Sequence, residues 1–94
     1  MAKNRSAAKR ARQAARRALR NRAVRSLVKT SVRKCLAAIE TKDIDRAREA
    51  LARTTSVIDK AATKGVLHRN TAARRKSRLA ARVAALARET EQTG

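Results

Sequence analysis

Proline and aromatic residues are absent from this sequence, and glycine occurs only at positions 65 and 94. Without proline, and without glycine before Gly65, no residue interrupts a helix in the first 64 positions. The absence of aromatic side chains excludes the base-stacking platforms of many single-strand-binding proteins. Cys35 is the only cysteine, so an intramolecular disulfide is impossible and a metal site would lack thiol partners.

Acidic residues are scarce, and none occurs in the first third of the chain. The 94 residues include 26 Lys and Arg against 7 Asp and Glu, a formal net charge of +19, and the first acid is Glu40. Residues 1–34 alone carry 13 basic side chains. Because charge of one sign at this density opposes compaction, we expect the protein to be bound to a polyanion in its functional state. Nucleic acid and an anionic membrane are the two candidates.

Bulky aliphatic residues are also few. Only 16 of the 94 residues are Leu, Val or Ile, a fraction below the ~20% at which high net charge indicates disorder. Only Leu19 precedes Val24, and the other 15 fall between Val24 and Leu86. We therefore expect a compact core from about Val24 onward, preceded by a segment with almost nothing to bury.

Membrane and export segments are not expected. No apolar run approaches the ~18 residues of a membrane span, and the N-terminus lacks the apolar region of a secretory signal. An acid-free, Arg-rich start also occurs in mitochondrial transit peptides, but the scarcity of bulky apolar residues before Leu19 disfavours this alternative. The same scarcity disfavours a membrane-active cationic helix, which needs a broad apolar face.

Alanine and arginine dominate what is present, and both are strong helix formers. Three helices are predicted, over about Ser6–Glu40, Asp43–Lys64 and Asn70–Arg88. Their short connections favour antiparallel neighbours. The predicted fold is therefore all-α, an antiparallel three-helix bundle with a long basic N-terminal helix that projects beyond the bundle.

This prediction divides a single domain, residues 1–94, into three parts. Residues 1–22 form the projecting helix segment, residues 23–88 form the bundle, and residues 89–94 form a flexible polar tail.

Residues suited to capping mark the predicted helix ends. Thr41 and Asp43 each offer an oxygen to the exposed backbone N–H groups that begin the second helix. Gly65 is expected just after the end of that helix, at the position that favours a left-handed backbone. Asn70 is expected to cap the third helix.

Apolar residues recur at spacings of three and four, which gives each helix a core face. The predicted core positions are Val24, Val28, Val32, Cys35 and Ile39 in the first helix; Ile44, Ala47, Leu51, Ile58 and Ala62, bridged by Thr54 or Thr55, in the second; and Leu79, Val83 and Leu86, with Ala72, Ala80 and Ala87 beside them, in the third.

The apolar stripe of the first helix turns polar near residue 22. Seven residues before Val24 lies Arg17, and seven residues before that lies Arg10. Burying these arginines against apolar helices would be costly. The first part of the helix therefore either projects beyond the bundle or stays disordered until a partner covers it.

Two basic regions are the candidate binding surfaces. Cations surround the first helix, and the arginines among them suit bidentate phosphate contacts. The start of the third helix adds polar side chains and backbone N–H groups that can bind phosphate. A solvated charged face is the alternative, but it would mix signs, as Glu49 and Arg53 do. The candidate residues are Lys3, Arg5, Lys9, Arg10, Arg12, Arg16, Arg17, Arg20, Arg22 and Arg25, then His68, Arg69, Asn70, Arg74, Arg75, Lys76 and Arg78.

Catalytic constellations are missing from the pattern. The sequence has no carboxylate pair, triad, glycine-rich phosphate loop or metal-ligand spacing, and His68 is its only histidine. We therefore expect no enzyme activity, cofactor or metal. The acids are expected to lie away from the basic surfaces, and Cys35 is expected to be a small buried residue. Charge alone leaves two ligands open, folded RNA and duplex DNA, the latter as in a DNA-compacting nucleoid protein.

Three stretches resemble a known family, the bacterial small-subunit ribosomal proteins numbered twenty. They are Lys3-Asn4-Arg5-Ser6-Ala7-Ala8-Lys9-Arg10, Ala37-Ala38-Ile39-Glu40, and the most specific one, Lys64-Gly65-Val66-Leu67-His68-Arg69-Asn70-Thr71-Ala72-Ala73-Arg74-Arg75-Lys76-Ser77-Arg78-Leu79. The resemblance covers nearly the whole chain.

This resemblance implies a structural component of the small ribosomal subunit, in the cytoplasm, that binds small-subunit ribosomal RNA and helps it fold and assemble. It implies contacts with the 5′ domain and with the long helix near the 3′ end of that RNA. It also implies few or no protein contacts, no membrane partner and a monomer within the ribosome.

Overall fold

The computed structural model describes the backbone of residues 2–93 and the side chains of residues 5–91. The described residues form three helices, α1 (Ala2–Glu40), α2 (Ile44–Thr63) and α3 (Arg69–Thr93), and no strand. The all-α prediction is confirmed. Two helices are longer than predicted, because α1 begins four residues before Ser6 and α3 extends five residues beyond Arg88. The added residues at the start of α1 and at the end of α3 are compatible with a helix, and no glycine interrupts α3 before Gly94.

The turn between α1 and α2 is closed by side chains on both sides. The Thr41 hydroxyl donates to the Ala38 carbonyl at 2.6 Å. Asp43 is the N-cap of α2, and its carboxylate accepts from the backbone N–H groups of Asp45 and Arg46. Of the two predicted capping candidates, the structure therefore assigns the cap of α2 to Asp43.

Gly65 ends α2 as predicted, with a left-handed φ of 77°. Its N–H donates to the Ala62 carbonyl, and the N–H of Val66 donates to the Ala61 carbonyl, both at 3.0 Å. These two bonds form a Schellman motif, which usually brings the residue after the glycine against the last turn of the helix. Val66 and Ala61 are both buried, so the motif also excludes water from one end of the core.

His68, rather than Asn70, caps the start of α3. The ring nitrogen Nδ1 of His68 accepts a hydrogen bond from the Asn70 N–H at 3.1 Å. The His68 carbonyl accepts from the Ala72 N–H at 3.0 Å. The predicted cap at Asn70 was wrong, because an imidazole acceptor two residues earlier satisfies the N–H that Asn70 presents.

The core is a thin seam in which small residues alternate with aliphatic ones. One cluster joins all three helices through Val28, Cys35, Ala50, Ile58, Ala61, Ala72 and Leu79. A second cluster joins the start of α2 to the far half of α3 through Ala47, Val83 and Leu86. Because the start of α2 lies beside the later part of α3, the helices are antiparallel, as predicted.

The predicted core positions of α1 and α2 are confirmed, since each is buried or packs half-buried against the core, but the core face of α2 is wider than predicted. Ala50 and Ala61 are buried there, whereas Leu51 and Ala62 lie at the flank. Ala80 of α3 is exposed and was wrongly placed beside the core. Alanine hardly distinguishes a buried from an exposed position, so an alanine-rich helix leaves its rotation undetermined by sequence.

Residues 2–23 of α1, which we call the arm, project from the bundle. Every described side chain from Arg5 to Ala23 is exposed, Val24 is half-buried and Val28 is the first buried residue. The principal extents of 74 × 21 × 13 Å match this shape, since a 39-residue helix alone is about 58 Å long. The predicted projecting helix is confirmed.

Among the described residues, none of the three helices combines the length and apolar character that a membrane crossing requires.

Candidate nucleic-acid interface

The arm presents its cations on all sides. Arg5, Lys9 and Arg12 lie along one flank around a shallow depression that also includes Ala8. Arg10 and Arg17 lie on the line that becomes the core face further along α1. The predicted residues of the arm from Arg5 to Arg22 are all exposed, and Arg25, just beyond it, is exposed as well. The side chain of Lys3, the first candidate, lies outside the described residues.

Alanine fills most of the spaces between these cations, so the arm is slim as well as charged. No acid occurs before Glu40, and none of the ion pairs among the described side chains includes a cation of the arm. Its guanidinium and ammonium groups are thus available to phosphates on more than one side of the helix.

The second predicted region lies at the start of α3. His68, Arg69, Asn70, Arg74 and Arg78 are exposed, whereas Arg75 and Lys76 are half-buried. The His68 imidazole binds the backbone of α3 through Nδ1, which leaves Nε2 as the nitrogen that can meet an external group. Arg74, Arg75, Arg78 and Arg82 follow one another at spacings of one, three and four, so they share one side of α3.

The structure brings the two predicted regions together at one place. Arg22, Arg25 and Lys29 of α1 face Arg75 of α3 across a cavity of about 370 Å³. Ser26, Val28 and Leu67 complete its lining. We call this cavity the basic groove. The approach of α1 and α3 at this groove could not be predicted from residue spacing, because it depends on how the two helices are rotated against each other.

Lys29 is a lining residue that the list of candidates missed. It follows Arg25 by four residues and Arg22 by seven, so helix periodicity places all three on one side of α1. This spacing was a sufficient signal, but the binding residues predicted on α1 ended at Arg25.

Lys76 differs from its neighbours, because its charge is already paired. The Nζ atom of Lys76 lies 2.6 Å from Oδ1 of Asp59 on α2, with the two side chains 35% and 53% exposed. The expectation that all acids lie away from the basic surfaces was therefore wrong at Asp59. The pair is 17 residues apart in sequence, so only the packing of α3 on α2 reveals it.

The remaining surface of the bundle mixes charges. On α2, Arg53 lies 3.8 Å from Glu49 and Arg46 lies 3.6 Å from Asp43. A cavity of about 580 Å³ between α1 and α2 includes Glu49 in its lining. This cavity also includes Lys34, Arg46 and Arg53, so the presence of both signs of charge distinguishes this side of the bundle from the basic groove, whose charged residues are all cations.

No catalytic or metal-binding arrangement emerges from the described residues, among which no group of three or more His, Cys, Asp or Glu side chains is placed to hold a metal ion. Cys35 is buried, as predicted. Burial raises the pKa of its thiol above the ordinary value of 9.0, and the neighbouring Thr54 side chain opposes only part of that rise.

These features define a small, strongly basic all-α protein whose charge is concentrated on an exposed helix and on the adjoining side of a bundle. The family model described as ribosomal protein S20 matches residues 2–84. The chain therefore belongs to the ribosomal protein S20 family, which confirms the resemblance seen in its motifs.

Individual relatives agree with this assignment. The chain is 51% identical over 87 residues to the small ribosomal subunit protein bS20 of Pseudoalteromonas atlantica, which covers 93% of this chain and 100% of the relative. It is 48% identical over 77 residues to bS20 of Natranaerobius thermophilus, an alignment that covers 82% of this chain and 88% of the relative. It is 46% identical over 87 residues to bS20 of Desulfatibacillum aliphaticivorans, an alignment that covers 93% of this chain and 99% of the relative.

These relatives are named small ribosomal subunit proteins, and this chain is accordingly a structural, non-enzymatic component of that subunit. Membership therefore confirms that this chain is not an enzyme and that its location is cytoplasmic.

Proposed function

We propose that this chain is a structural component of the small ribosomal subunit that binds small-subunit ribosomal RNA directly and helps it to fold and assemble. The observation that carries the proposal is the arm, an exposed helix with cations on several sides and no acid. Relatives named as small ribosomal subunit proteins support the choice of ribosomal RNA over other polyanions.

The mechanism that fits this arm is recognition of RNA backbone and shape. The part of α1 that projects is about 33 Å long, given ~1.5 Å per residue. Its cations point in several directions, so one strand can lie on each of two flanks. Phosphate contacts then neutralise charges that otherwise repel one another. Held in this way, two RNA segments are fixed relative to each other, which is how a protein without catalytic groups promotes RNA folding.

The contact residues in this proposal are the predicted ones of the arm and of the start of α3, with Lys29 added and Lys76 removed. Two RNA segments are proposed as partners, the 5′ domain and the long helix near the 3′ end. In this proposal the chain acts as a monomer within the ribosome, with few or no protein contacts and no membrane partner.

A salt titration of binding to the 5′ domain of small-subunit ribosomal RNA tests the proposal. Each neutralised phosphate contributes roughly 0.7 to 0.9 to the slope of log affinity against log salt concentration. Replacing Arg10, Arg12, Arg16 and Arg17 by Ala should reduce the slope by about 3. The control variant removes four cations of α2 instead, at Arg46, Arg48, Arg53 and Lys60, and should keep nearly the full slope.

Two outcomes would count against the proposal. Equal slopes for the arm variant and the control would show that the arm does not carry binding. Random duplex DNA that competes as well as the ribosomal RNA would favour a DNA-compacting protein instead.

A further inference from the structure

The basic groove differs from the arm in shape. The arm is a convex rod, whereas the groove is a concavity of about 370 Å³ between two helices. Small-molecule sites typically have volumes of roughly 300–1,000 Å³, so the groove is in the range for one small organic group. Contact with phosphates along a duplex would need only the convex cations that the arm already supplies.

Its lining also differs, because cations surround an apolar floor. Leu67 is half-buried and supplies the accessible aliphatic surface of this floor, whereas Val28 is only 1% exposed and lies in the core beneath it. Arg22, Arg25 and Arg75 therefore meet over carbon atoms rather than over water alone. A group that fits such a lining has an anionic part and a flat or apolar part.

The charges of the groove come from two helices, so the arrangement depends on the folded bundle. Arg22, Arg25 and Lys29 share one side of α1 by helix periodicity, and Arg75 reaches them from α3. None of the four takes part in an ion pair among the described side chains. Four cations around one cavity repel each other, and a phosphate placed among them would relieve that repulsion.

We propose that the basic groove holds one unpaired nucleotide of the bound RNA, with its phosphate among Arg22, Arg25, Lys29 and Arg75 and its sugar and base against Leu67. A nucleotide inside a duplex has its base stacked and paired, so it cannot enter a concave site, whereas a bulged nucleotide can. Arginine planes can stack on the exposed base, which replaces the aromatic residues that this chain lacks. This inference rests on the proposed function, because it requires that the chain bind RNA.

The test is a 2′-hydroxyl acylation footprint on the 5′ domain of small-subunit ribosomal RNA, with the full-length chain. The variants Arg25→Gln and Arg75→Gln each remove one groove cation, and Arg48→Gln removes an exposed cation of α2 as the matched control. Wild type and control should protect one unpaired nucleotide that both groove variants leave reactive. Loss of one charge-assisted contact should weaken binding about tenfold.

A second measurement tests whether that nucleotide occupies the groove. RNA lacking the nucleotide should bind wild type about tenfold more weakly, and Arg25→Gln should then add little further loss, because both changes remove one interaction. Arg25 is exposed, so this variant should keep the helicity and thermal stability of wild type even if replacing the half-buried Arg75 loosens the bundle.

The outcomes separate the two proposals. If wild type protects the RNA but groove variants give the same footprint, or if the deletion and Arg25→Gln weaken binding additively, the groove does not hold a nucleotide. Protection of a paired nucleotide would also overturn the inference. If wild type gives no footprint on this RNA, the proposed function fails, and the groove proposal fails with it.

Discussion

The hydroxyl of Thr54, on α2, donates a hydrogen bond of 3.1 Å to the backbone carbonyl of Ser31, on α1. Thr54 is only 2% exposed, and it is the buried polar residue of the core. Apolar contacts between alanine-rich helices tolerate sliding and rotation, whereas a hydrogen bond between one hydroxyl and one carbonyl fixes both. This bond therefore holds α2 at a defined position on the helix that carries the arm.

Replacing Thr54 by Val should lower the free energy of unfolding by about 1 kcal/mol, because the shape is kept while a buried hydrogen bond is lost. Urea denaturation measures this change. Thr55→Val is the matched control at a half-buried position and should change the stability by less. Equal effects of the two substitutions would contradict a structural role for the bond to Ser31.

The two left-handed residues should respond in opposite ways to substitution. Gly65 has a φ of 77° and Lys42 a φ of 64°. An alanine at position 65 would be strained even though the space around its Cβ is open, so Gly65→Ala should cost about 1 kcal/mol of stability. Lys42→Gly removes the strain of a side chain and should be neutral or stabilising. Thermal unfolding of both variants tests the pair, and a Gly65→Ala variant as stable as wild type would disagree with the Schellman turn.

Cys35 should make the stability of the fold sensitive to alkaline pH. Burial raises the pKa of its thiol above 9.0, so the unfolded chain ionises this group before the folded chain does. The resulting contribution to stability is fully present below pH 9.0 and is lost as pH rises through the raised value. The stability difference between wild type and Cys35→Ala should shift against wild type above pH 9.0. A difference that stays constant with pH would rule out this linkage.

Neighbouring cations on α3 should differ in their effect on RNA binding. Lys76 is paired with Asp59 at 2.6 Å, whereas Arg75 faces the basic groove. Lys76→Gln should therefore leave the salt dependence of RNA affinity almost unchanged. Arg75→Gln should reduce the slope of log affinity against log salt concentration by roughly 0.7 to 0.9, which is the contribution of one phosphate contact. Asp59→Asn serves as the complementary variant, because it frees Lys76 without removing a cation. Equal slope changes for Arg75→Gln and Lys76→Gln would contradict the different roles assigned here.

The sequence was sufficient for the parts of the fold that depend on local chemistry. The change from Val24 to Arg17 and Arg10 along one helical line predicted where burial ends, because charged side chains cannot take core positions. The left-handed turn at Gly65 was predictable for a similar reason, since glycine adopts it at little cost.

Features that depend on the rotation of one helix against another could not be predicted. Alanine is compatible with either face, so the burial of Ala50 and Ala61 and the exposure of Ala80 appear only in the folded bundle. The pairing of Lys76 with Asp59 and the approach of Arg75 to α1 have the same origin. The candidate site was therefore predicted as two separate regions, and its joining at the basic groove was not.

Crosslinking of the chain to RNA in assembled small subunits, with both partners mapped at residue level, tests the central claim most directly. The account predicts crosslinks from the arm, from the basic groove and from the side of α3 that carries Arg74 and Arg78, all to small-subunit ribosomal RNA. Crosslinks concentrated on the mixed-charge face of α2, with none from the arm, would contradict it.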